Sequence, residues 1–389
     1  GVFINKKTGD NPWQASIQRM LSLSDPGDLF RSYQELIDIP DHSNWIRLYS
    51  GKTIHQFNHR YSSFEDGDWR EFTFSELRDP EVFVKTEYYV QQLDVDKRTN
   101  GKVPNKWLIS YRDIARATDE RTSIATIIPW TGCDTHCRNI YSNIEPINLL
   151  ALFAANLNSI PFDYFARQKV ISTGLGSGIL EQLPVLPPGT YTESDFNFIA
   201  SRVLELVYTA NDMRPFAEDM GYYGDPFIWD EDRRALLRAE LDAYYSRLYG
   251  FSLDELRYIL DPQDVYGPDF PGETFRVLKE KEMRLYGEYR TRRLVLEAWD
   301  RLEETESVEQ AARPIPIAID SSIVVSSHQS DLEINWLPVT PPTNVDKTEP
   351  LSVNFRQAVG VAWCLDLFGT GQSISLFDAQ KYNYFLQRS

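Results

Sequence analysis

Arg167-Gln168-Lys169 stands directly before Ser172-Thr173-Gly174-Leu175-Gly176-Ser177-Gly178. Cations beside a glycine-rich loop are equipped to grip an anion: glycine lets backbone approach a ligand closely, and Arg and Lys supply phosphate contacts. Thr173, Gly174, Gly176 and Ser177 are the loop candidates. A glycine-rich connection between two domains accounts for the same residues. A second basic and amide-rich group is Lys52, His55, Gln56, His59 and Arg60, side chains suited to base edges and phosphates or to a solvated face. A third is Arg112, Arg116 and Arg121, each with an acid nearby, which suits an ion-pair network as well as a DNA face.

Other constellations are weaker. Cys133, His136 and Cys137 could hold zinc, but a closed site needs a fourth ligand, and Cys364 stands alone far downstream. No metal ligand set is assigned; a loop with reduced thiols fits better. Gly51-Lys52-Thr53 lacks the upstream glycine of a nucleotide-binding P-loop, where Ile46 stands instead. Asn11-Pro12-Trp13 carries one proline where an adenine-methylating site has two, and reads as a turn. Arg290, Arg292 and Arg293 fit a solvated helix face better than a phosphate site. No catalytic constellation emerges, so a recognition role is expected rather than a catalytic one.

The 389 residues are 42% hydrophobic and 25% charged, enough for two or three globular domains. No apolar run reaches the roughly 18 residues of a membrane span, and three cysteines are too few for a disulfide framework, which points to a reducing cytoplasm. The formal net charge of −17 is poor for a general nucleic-acid binder. It is uneven, however: residues 1–190 hold 20 Lys/Arg against 23 Asp/Glu, and residues 191–389 hold 20 against 34. Screening over about 8–10 Å leaves room for a local basic face.

An α+β chain follows from the patterning. Strands are expected at Trp45–Tyr49, Glu87–Val90, Trp107–Tyr111 and Ser123–Pro129, with a turn at Asn100-Gly101 and a buried helix at Asn148–Asn156. Helical spacing then covers Thr192–Tyr208 and Asp230–Tyr249. Ser252 to Glu255 forms a capping box, and a long helix from Glu273 to Glu304 is interrupted at Gly287. Three units result: a mixed 1–190, an α-helical 191–304, and a small mixed 305–389 of unknown role, with strand-like runs at 315–339 and a helix pair within 352–386.

In combination, GKTIHQFNHRY, WLISYRDIARATDERTSIATIIP and FDYFARQKVISTGLGSGILEQLPVLPP resemble the C-terminal target-recognition region of large restriction–modification adenine-N6 DNA methyltransferases, type IIG-like, including enzymes of phage defence. DNPW, RMLSLSDPGDLFR and the helical YYSRLYGFSLDELRYILDP and ETFRVLKEKEMRLYGEYRTRRLVLEAW extend the likeness over residues 8–304. The resemblance implies an upstream domain, on the same or a separate chain, that binds S-adenosylmethionine and methylates a flipped adenine. Residues here would grip double-stranded DNA and read bases. The family's cofactor loop and its Asn/Asp-Pro-Pro-aromatic site are missing, so the expectation is a non-catalytic fragment without its own cofactor. A docking module with little DNA affinity and a zinc-dependent enzyme are the alternatives.

Overall fold

The computed structural model of the chain describes residues 2–99, 105–170, 174–270 and 274–304. Thr173, the Asn100-Gly101 turn and everything expected after residue 304 lie outside the described residues. The fold is α+β. Its central layer is a four-stranded sheet in the order Ala15–Gln18, Cys137–Ser142, Trp107–Arg112, Ala125–Pro129, with every neighbouring pair antiparallel.

Both faces of this sheet are covered, and Trp107–Tyr111 in its interior is buried at every position. Side chains alternate across a strand: Trp107, Ile109 and Tyr111 join one core, whereas Leu108 joins the other. The first core is shared with helices. It takes in Leu150–Asn158, Ile160–Lys169, Glu193–Val207, Glu231–Leu248 and Arg290–Glu304. The second core lies against a smaller four-stranded sheet in the order Phe30–Ser32, Tyr88–Gln91, Trp45–Tyr49, Gly132–Cys133. The expected boundary at residue 190 falls inside the first core, which holds Phe153 and Phe162 on one side and Ile199, Leu237 and Trp299 on the other.

Local sequence explains the helices. Thr192 and Asp195 form a capping box at the start of Glu193–Val207, whose Phe196, Ile199, Val203, Leu206 and Val207 are all buried. Burying each such side chain contributes about 1.5–3 kcal/mol. Ser252 and Glu255 repeat the device at Leu253–Leu260. Ser159 caps Ile160–Lys169 by accepting from the Phe162 amide, and Pro161 sits in its first turn, where no amide hydrogen is needed. Gly287 takes a left-handed φ of 75° and separates Arg276–Tyr286 from Arg290–Glu304. Among the described residues no helix is long and apolar enough to cross a membrane.

Candidate nucleic-acid interface

Five of the expected contact residues are spent inside the fold. Arg60 is fully buried and donates to the carbonyl oxygens of Leu77, Asp79, Val82 and Thr209, at 2.7 to 2.9 Å. Arg167 donates to Asp163 at 2.8 Å and to the carbonyls of Ala117, Asp119, Glu120 and Thr274, with its guanidinium 4.3 Å from the Phe275 ring centre. Gln56 donates to the carbonyls of Ser123 and Asn158. His59 is buried against Asp212 at 3.0 Å. Arg121 is buried between Asp242 at 3.4 Å and Asp163 at 3.8 Å. These side chains are therefore corrected from DNA contacts to internal braces: a buried guanidinium is held only where carbonyls and carboxylates replace its water.

Segments that carry several of the remaining candidates are tied together at Asp113, which sequence reading did not select. Its carboxylate meets His136 Nδ1 at 3.0 Å and Arg138 Nε at 3.2 Å. Its carbonyl accepts from the Leu175 amide at 2.7 Å, and its own amide donates to the His136 carbonyl at 3.3 Å. Ile114 also bridges to Gly174. Asp113 therefore draws the glycine loop, the 112–116 segment and the His136–Arg138 strand together. Gly51 joins them from the other side, since a Cβ there would stand 2.8 Å from the His136 carbonyl oxygen. Only glycine allows that approach.

Lys52 follows Gly51 in a single 3-10 turn and is exposed, with its ammonium 5.8 Å from the Trp69 ring centre. Arg112 is half-buried and lies 5.2 Å over the Tyr61 ring, and its Nε is buried without a hydrogen-bond partner. His55 packs on the same ring at 4.8 Å. Burial, reinforced by the Arg112 charge, pushes the His55 pKa well below the ordinary imidazole value. Arg116 is exposed at a turn closed by its amide donating to Asp119 Oδ2. Lys169 is half-buried and donates to Gln182 Oε1 at 3.1 Å, while Gln182 in turn donates to the Gly178 carbonyl. Gln168 lies beside it with a buried, unbonded Oε1. Gly176 and Ser177 open a one-turn helix, Ser177–Leu180. Lys52 and Arg112 each lie over an aromatic ring, a pairing of cation and ring face that suits phosphate oxygens and aromatic stacking.

Cys133 and Cys137 are buried free thiols of the second core, while His136 turns to Asp113, so the three do not converge on an ion. Among the described residues no group of three or more His, Cys, Asp or Glu side chains could hold a metal. Arg290, Arg292 and Arg293 are paired with Asp232, Asp264, Glu288 and Glu297. Asp163 and Arg167 are four residues apart on one helix, a spacing that pairs opposite charges and could have marked Arg167 as internal. Asp113 offered no comparable local signal. No protein-family model matches the sequence, and no curated protein matches it.

Proposed function

We propose that this chain grips and reads double-stranded DNA as the target-recognition part of a restriction–modification adenine-N6 DNA methyltransferase. The observation that supports the reading most is that Asp113 ties the segment carrying Arg112 and Arg116 to the Gly174–Leu175 loop and to His136, against which Gly51, the neighbour of Lys52, is packed. Phosphate contacts give register and affinity, and base-edge contacts in the major groove give sequence. The methyl transfer itself, S-adenosylmethionine and the flipped adenine belong in this reading to an upstream domain, on the same or a separate chain.

Selection of binding sites from a pool of random duplexes, at low and moderate salt, tests the reading. Enrichment of one short word is the expected result. No binding at either salt contradicts it and favours docking to a partner subunit. That second reading draws on Tyr223 and Ile228, which are 77% and 79% exposed in a half of the chain rich in acid.

A further inference from the structure

The smaller sheet has one face in the second core and one face outside it. Phe30, Val90 and Ile46 are register partners and point into that core. The next row, Arg31, Tyr89 and Arg47, points the other way, because side chains alternate along a strand. Tyr89 therefore stands between Arg31 and Arg47 on neighbouring strands. Arg31 lies 5.7 Å over the Trp45 ring, Arg47 lies 5.3 Å over Phe83, and Tyr33 stands 6.2 Å from Tyr89. Trp45, Phe83 and Tyr89 are half-buried, Tyr33 is exposed, and none of the four rings packs into either core.

The two cations on this face keep capacity for an anion. Arg31 donates to the carbonyls of Asp28 and Phe30, and the carboxylate nearest Arg47 is Asp212, at 3.9 Å. His59 takes Asp212 Oδ1, and Oδ2, which faces Arg47, is buried without a hydrogen bond, so Arg47 balances that oxygen across 3.9 Å and offers a phosphate only the part of its guanidinium that meets solvent. Glu35, near Arg31, is engaged by the Ser32 cap. Rings interleaved with guanidinium groups on a half-buried sheet face match the chemistry of an unpaired strand, whose bases have exposed π-faces and whose phosphates are regularly spaced. Duplex DNA hides those faces in its stack.

We infer that this face binds single-stranded nucleic acid, with Tyr89, Trp45 and Tyr33 stacking on bases and Arg31 and Arg47 taking phosphates. It uses residues separate from those around Asp113. Loss of duplex binding with strand binding retained would therefore remove the duplex reading and leave this one standing.

The test is fluorescence anisotropy of the full chain with labelled oligothymidylate, oligouridylate and a duplex of equal length. Binding of either single strand is expected, and the tighter one identifies the sugar. Tyr89→Ala is expected to weaken it about ten-fold or more, and Tyr89→Trp to retain it. Arg31→Gln combined with Arg47→Gln is expected to lower the salt slope by about 0.7 per lost contact. Tyr33 is exposed, so a smaller loss in Tyr33→Ala is a readout free of unfolding. Failure of both single strands to bind, or native affinity in Tyr89→Ala and Tyr33→Ala together, overturns the inference.

Discussion

Arg167 and Arg112 carry the same guanidinium group and come from equally basic stretches of sequence, yet the fold uses them in opposite ways. Arg167 is enclosed by one carboxylate and four carbonyls on segments far apart in the chain. Arg112 lies half-buried on Tyr61 with its Nε unbonded. Arg60 follows the first pattern and Lys52 the second. A cation enclosed by carbonyls and carboxylates braces the chain, and one whose head lies half-exposed over a ring can meet a ligand; an unbonded buried Nε does not separate them, since Arg60 has one as well. Counting basic residues along a sequence does not separate the two.

Substitutions should split along that line. Arg167→Ala removes the donor to four carbonyls and leaves buried Asp163 with only the Thr122 and Ser123 amides and Arg121 at 3.8 Å, and chemical denaturation should register a loss of about 3–5 kcal/mol. An unchanged midpoint would show that Arg167 is not a brace. Gly51→Val drives a side chain into the His136 carbonyl, and overpacking of this kind costs about 1–3 kcal/mol. Unchanged stability would mean that the turn carrying Lys52 is not locked to the Asp113 cluster.

The pH dependence of stability is a subtler check. Burial is the leading cause that lowers the pKa of both His55 and His59 in the folded chain. The unfolded chain then takes up protons that the folded chain resists. Stability is therefore full above about pH 6.5 and falls as the pH drops below it, by up to about 1.4 kcal/mol per pH unit for each histidine. Melting curves of His55→Gln should show a shallower acid limb; an identical limb would remove His55 from the account. Smallest of all is the expected effect of Lys52→Ala or Arg116→Ala on stability, within about 0.5 kcal/mol, because each side chain is exposed.

Periodicity and caps made much of the fold legible. The helices at Glu193–Val207 and Glu231–Leu248, the Ser252 cap, the break at Gly287 and the strands at Trp45–Tyr49 and Trp107–Arg112 all follow from local pattern. The candidate site was half legible. Its segments were marked by residue type, but whether a cation turned inward depended on partners distant in sequence: Arg60 on Thr209, Arg121 on Asp242, Arg167 on Thr274. Asp113 was hidden for the same reason, since its partners Arg138 and Leu175 are supplied by tertiary structure.

Lys52, Arg112 and Arg116 are proposed to face the phosphates of a duplex. The most direct test is the salt dependence of duplex affinity for the native chain and for the combined Lys52→Gln, Arg112→Gln, Arg116→Gln variant. The slope of log affinity against log salt is expected to fall by about 0.9 for each contact removed, with the melting temperature held. A slope equal to that of the native chain would contradict it.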